Sequence, residues 1–153
     1  MRKSRFCGKG QHGSALLEFS IAGTVLFIAL FGALEVCRLL WTYNALADAV
    51  RSGARYASMH TTTEAAQTAV KNVVVYGTAN PGEGARPVAT GLLTSNVTLT
   101  YSGDFGVKQG SVRVRLSNYS FSFIVPLFGA SLTLPAYEVV ITGESAGIEP
   151  GNL

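Results

Sequence analysis

Ser14 to Leu34 is a run of 21 residues with one charge, Glu18. As a helix rising 1.5 Å per residue it spans roughly 31 Å, enough to cross a hydrocarbon core of about 30 Å. Whatever follows must fold beyond the end of a membrane-length helix. Composition agrees: 14% of residues are charged, against about 25% in soluble domains. Mean hydropathy is +0.30. Gly23, Thr24 and Gly32 interrupt the run but are tolerated in membrane helices. A secretory signal peptide is the competing reading. It fits less well, because the run passes directly into a helical pattern without a cleavage site and turn.

Residues 1–13 form a polar, basic leader. Arg2, Lys3, Arg5 and Lys9 supply four of the twelve basic residues, and no acid precedes Glu18. Residues 14–153 then hold eight basic and nine acidic groups, a net charge of −1. The chain's +3 and its pI near 9.0 therefore belong to the leader, which argues against a nucleic-acid partner. Basic residues flanking a span mark its inner side. The expected topology is single-pass, with a cytoplasmic leader (1–13) and a periplasmic C-terminal domain. Cys7 and Cys37 fall on opposite sides of such a span, so neither a disulfide framework nor a zinc pattern is expected.

The transmembrane segment is expected at about 14–40, inside one helix over 14–58. Glu35 and Arg38 mark its outer end, and Trp41 and Tyr43 fit an interfacial aromatic pair. Beyond them Leu39, Tyr43, Leu46, Val50, Ala54 and Ala57 recur at helical spacing. Asp48 and Arg51 form an i,i+3 pair on another face. Ala45, Ala49, Gly53 and Ala57 place a small residue at every fourth position, which lets a neighbouring backbone approach closely. That row serves either a helix covering its own sheet or packing between subunits.

Residues 59–146 read as an α+β domain, with a polar tail at 147–153. Thr61-x-x-Glu64 has capping-box spacing. Glu64 to Tyr76 follows as a short helix with Ala65, Ala69, Val73 and Tyr76 on its buried edge, although Val73 to Val75 also reads as strand. Gly77 to Ser95 has loop composition and the length of a variable or recognition loop. Val97, Leu99 and Tyr101 alternate with polar residues, as do Val112, Val114 and Leu116. The apolar phase then shifts to Tyr119, Phe121 and Phe123, which predicts a β-bulge near Ser117–Asn118. Phe123 to Leu134 reads as an apolar loop, packed in the core or touching the bilayer. Tyr137, Val139 and Ile141 mark a last strand. The expected fold is a small three-stranded antiparallel sheet packed on the exposed half of the long helix.

Chemistry-bearing patterns are scarce. His60 has no second ligand at metal spacing, and Asp104-Phe105-Gly106 stands without any other kinase element. No enzyme, metal, cofactor or small-molecule substrate is expected. Glu18 needs a reason of its own, because a carboxylate inside a span costs roughly 2.5–3.5 kcal/mol at the centre on insertion scales and less at the edge. Snorkelling to headgroups is one solution. Cleavage after Gly13 supplies another. Ser14 would then carry a free amine, with Glu18 as fifth residue and Phe19 as sixth. The amine of one helix and the Glu18 of a staggered neighbour would pair and set an axial register.

A basic leader, a glycine, then five residues ending in Glu and followed by Phe, resembles the prepilin-peptidase signature of type IV pilins and pseudopilins. The longer stretch resembles the TadE-like family. It includes Gly13-Ser-Ala-Leu-Leu-Glu-Phe-Ser-Ile-Ala, Leu30 to Arg38, Trp41 to Leu46 and Arg51 to Ala57. Cys37 departs from the small or apolar residue of many relatives. The resemblance implies a pseudopilin or minor pilin of the tight-adherence (Tad, Flp pilus) machinery, cut between Gly13 and Ser14 by an inner-membrane prepilin peptidase. Implied partners are a second Tad pseudopilin, the major Flp pilin and the Tad membrane platform with its secretion ATPase. The implied role is assembly of pili for surface adhesion and biofilm formation, in the inner membrane or the extracellular pilus. The alternative is a membrane-tethered binding module acting through Tyr101, Tyr119, Phe121 and the 77–95 loop.

Overall fold

The computed structural model describes residues 12–60, 62–103, 110–125, 129 and 131–142. The fold is α+β. Helix α1 covers His12–Ser58, 47 residues, and α2 covers Glu64–Tyr76. Five strands follow: β1 (Val97–Ser102), β2 (Ser111–Leu116), β3 (Ser120–Ser122), β4 (Ser131–Thr133) and β5 (Tyr137–Thr142). They form two antiparallel sheets, one ordered β1-β2-β5 and the other the β3–β4 hairpin.

The two halves of α1 differ in environment. From residue 13 to residue 34 it is exposed except at the half-buried Gly23 and Gly32. Its second half builds the core: Leu46, Ala49, Val50, Ala54 and Ala57 are all buried. They pack with Val70, Val74 and Val75 of α2 and with Val97, Val112, Val114 and Leu116 of the large sheet. Strand β2 lies centrally, and its alternate residues Val112, Val114 and Leu116 face the helices while Arg113 and Arg115 face out.

The helices meet at Gly53. A methyl group built there would lie 2.2 Å from Val74 Cγ2, so α2 sits closer than any side chain at 53 permits. Ala49 and Ala57 are buried beside it, and Ala45 is half-buried. The small-residue row is thus turned, over most of its length, toward α2 of the same chain. This seat also shapes the buried face of α2. Of the expected edge, Val73 is buried, Tyr76 packs partly buried against the core and Ala69 is half-buried, while Ala65 is exposed and Val70, Val74 and Val75 carry the rest of the buried face. The N-cap moves as well. Thr63 caps α2, its hydroxyl accepting the Ala66 N–H at 3.4 Å, where the capping-box spacing had pointed to Thr61. Thr61 lies outside the described residues. Gly77 closes α2 at φ 74, and its N–H donates to Val73 O.

The phase shift after Leu116 is a chain break between two sheets, not a bulge within one strand. Asn118 adopts φ 58, a left-handed conformation that asparagine tolerates better than most residues. Asn96 Nδ2 bridges Ser117 O at 3.2 Å and Asn118 O at 3.0 Å. The chain leaves β2 there and starts β3. The segment expected to be an apolar loop supplies β4, with Phe121 opposite Leu132. The polar tail falls outside the described residues.

The Gly53 contact makes a quantitative expectation. Alanine is favoured over glycine in a helix by about 0.8–1.0 kcal/mol, whereas overpacking costs typically 1–3 kcal/mol. Gly53→Ala should therefore lower the thermal midpoint of the detergent-solubilised chain, followed by near-UV circular dichroism. Adding Val74→Ala should restore part of the difference. A raised midpoint in Gly53→Ala would show that the helices are not in close contact there.

Candidate functional site

Two stretches of α1 stand out once the core is assigned. The first is its apolar N-terminal half. Leu16, Leu17, Phe19, Ile21, Val25, Leu26 and Phe27 are each more than half exposed. Its hydroxyl groups are satisfied internally: Ser20 Oγ donates to Leu16 O and Thr24 Oγ1 to Ser20 O, both at 2.8 Å. Such back-bonding hides polar groups from an apolar surrounding. Gly13 lies in the first turn of α1, and a methyl group built there meets nothing within 4 Å. The fold therefore gives no packing reason for glycine at 13. Ser14 and Glu18 are exposed on the same half. Among the described residues, no hydrogen bond or ion pair engages the Glu18 carboxylate.

The second stretch is a polar clamp where this half ends. Glu35 is 6% exposed, the one buried charged residue among those described. Arg38, one turn on, donates from Nη2 to Glu35 Oε1 at 2.8 Å and from Nε to Oε2 at 3.2 Å. This is the i,i+3 fork of a bidentate pair. Both residues also hold the β3–β4 hairpin. Ile124 N–H donates to Glu35 Oε1 at 2.6 Å, and Arg38 Nη2 donates to Ser122 O. The guanidinium lies 4.1 Å over the centre of the Phe121 ring, within cation–π range. Phe121 is itself 1% exposed and meets Phe123 edge-on at 5.3 Å. Glu35 and Arg38 were expected to mark the outer end of a span; in the fold they tie the β3–β4 hairpin to α1.

The aromatic pair expected at the membrane interface separates. Trp41 is 79% exposed, while Tyr43 meets Tyr137 edge-on at 6.3 Å. Arg51 joins that contact, donating to Asp48 at 2.8 Å and to Tyr137 Oη at 2.9 Å.

The residues nominated for ligand binding are largely structural. Tyr119 and Phe121 are buried, and the Tyr119 hydroxyl donates to Thr90 O at 2.9 Å. Burial pushes the Tyr119 phenol above its ordinary range, opposed in part by the nearby Arg38 charge. The 77–95 segment is no free loop either. Ala89 and Leu92 are buried in the core, and Val88 N–H donates to Val75 O at 2.8 Å. His60 stacks on Tyr56 at 3.9 Å, with Nδ1 2.8 Å from Tyr56 O, and so caps the end of α1. Among the described residues no cluster of three His, Cys, Asp or Glu comes together.

The comparisons with known proteins bear on the first stretch. Residues 13–55 match the family model described as TadE-like protein. The match covers the N-terminal part of the chain, within α1. No curated protein and no solved structure matches. The TadE-like segment covers the apolar half of α1, Glu35 and Arg38 of the clamp and the small-residue row as far as Gly53, and stops short of α2. It covers most of the one helix, among the described residues, long and apolar enough for a single membrane span.

Sequence reasoning found the residues of the apolar half and missed the role of the clamp. An acid–base pair at i,i+3 was visible, but its partners lie 84 and 89 positions away. Removing the carboxylate should loosen the hairpin selectively. In Glu35→Ala, hydrogen–deuterium exchange over residues 120–133 should accelerate while β1, β2 and β5 keep wild-type protection. Unchanged exchange at Ile124 would show that the carboxylate does not hold the hairpin.

Proposed function

We propose that the chain is a TadE-like pseudopilin or minor pilin that acts in assembling Tad (Flp) pili for surface adhesion. In this reading the leader is cytoplasmic, α1 crosses the inner membrane over about 14–40, and residues 59–146 form a periplasmic domain. A prepilin peptidase cuts between Gly13 and Ser14, with Phe19 in the recognised segment. Assembly then brings the chain against a second Tad pseudopilin, the major Flp pilin and the Tad membrane platform. Glu18 sets the axial register by pairing with the Ser14 amine of a neighbour. The chain is a structural component, not an enzyme.

The observation that carries this reading is the contrast within α1. Residues explained by the fold lie after about residue 34. Gly13, Ser14, Glu18 and Phe19 lie before it, exposed and without a partner in the described chain. Features with no internal use fit external readers: a peptidase for glycine at 13 and a neighbouring helix for the carboxylate at 18. The occupied row at Ala49, Gly53 and Ala57 adds a constraint. With α2 seated on it, contacts between subunits fall mainly on the apolar half.

Two substitutions separate the steps. In the native host, Gly13→Ala should leave unprocessed precursor in the membrane fraction, seen as a shift to larger mass. Glu18→Ala should be processed normally yet fail to support assembly, read as loss of sheared pili. Normal piliation in the Glu18→Ala strain would refute the register role. Loss of processing in that strain would instead assign Glu18 to peptidase recognition.

A further inference from the structure

From the clamp geometry we infer that the stretch Ser122–Ile124, at the end of β3, is a second membrane contact, seated in the lipid headgroup layer beside α1. The inference rests on the reading of α1 as a membrane span. The argument is one of depth. Ser14 to Leu34 fill a hydrocarbon core of about 30 Å, so Glu35 is the first residue beyond it. The headgroup layer adds roughly 5–7 Å on each side, or about four residues of helix. Ile124 N–H is bonded to Glu35 Oε1 at 2.6 Å, which fixes that backbone at the depth of Glu35. Ser122 O is held by Arg38 within the same layer.

The surface at this depth is apolar. Ile124 is 74% exposed, and on α1 Leu34 and Val36 are each more than half exposed. Trp41, at 79% exposure, lies about one turn of helix beyond the headgroup layer. Lone exposed apolar side chains are ordinary. This one is different because it is held in place and continuous with the apolar half of α1, so the occupant that covers the helix covers Ile124 too. Arg38, about one-third exposed, adds a cation at headgroup level. The consequence is mechanical. A domain on a single helix can swivel against the bilayer, whereas one touching it at two points keeps a fixed attitude.

The test uses the full chain in vesicles of phosphatidylethanolamine and phosphatidylglycerol, with Cys7→Ser and Cys37→Ser. An environment-sensitive fluorophore is attached to Ile124→Cys, to Val25→Cys within the span, or to Thr98→Cys on the exposed sheet face. The Val25→Cys label should emit blue-shifted and be quenched by deep acyl-chain quenchers. The Thr98→Cys label should emit as in water. The Ile124→Cys label should be blue-shifted and quenched most by shallow, headgroup-proximal quenchers. Emission from the Ile124→Cys label matching that from Thr98→Cys, with the Val25→Cys label in lipid, overturns the inference and leaves the span intact. A blue shift insensitive to every lipid quencher overturns it in favour of a protein neighbour. An aqueous Val25→Cys label removes the span reading, and the inference with it.

Discussion

A buried carboxylate on α1, Glu35, divides the molecule. Before it the helix satisfies only its own backbone and leaves its side chains to the surroundings. After it the helix is the spine of a folded core. Glu35 is held by the Arg38 fork and by the Ile124 N–H, and Arg38 carries on to Ser122 O and the face of Phe121. A charge removed from water is costly unless it is paired and hydrogen-bonded. Here both conditions are met by residues far apart in the chain, so the end of the apolar half of α1 and the hairpin are fastened in one arrangement. The folded core depends on this joint and on the Gly53–Val74 seat, which fixes α2 and through it the buried side of the sheet.

Much of this was legible in the residues. The charge-poor run, the helix continuing to Ser58, the short helix to Tyr76 and the alternation in β1, β2 and β5 are local signals, and local signals survive tertiary packing. The failures share one cause, which is contact across long sequence separation. The expected edge of α2 was placed correctly at Val73 and Tyr76 but missed Val70 and Val74, which dock at Gly53. The phase change at Ser117–Asn118 was read as a bulge. Nothing nearby announces that Asn96 braces a left-handed Asn118, or that β3 leaves for a partner at 131–133. The segment at 77–95 looked like a recognition loop by composition, yet Ala89 and Leu92 plug the core.

The same contrast shapes the functional reading. Residues that the fold explains need no external partner: Tyr119 and Phe121 serve the interior, and His60 caps a helix. What remains unexplained inside the chain is concentrated within 13–34, and the TadE-like match covers it. The glycine at 13, where no side chain would clash, and the carboxylate at 18, alone on an apolar surface, are costs or curiosities for an isolated chain. For a processed subunit that packs beside copies or relatives of itself, both have uses.

The most direct test of this account is the mass and N-terminal sequence of the protein recovered from membranes of its native host. The account predicts a chain beginning at Ser14, with residues 1–13 removed. A membrane-embedded protein that still begins at Met1 would contradict it, because Glu18 would then have no nearby amine to meet and glycine at 13 no reader.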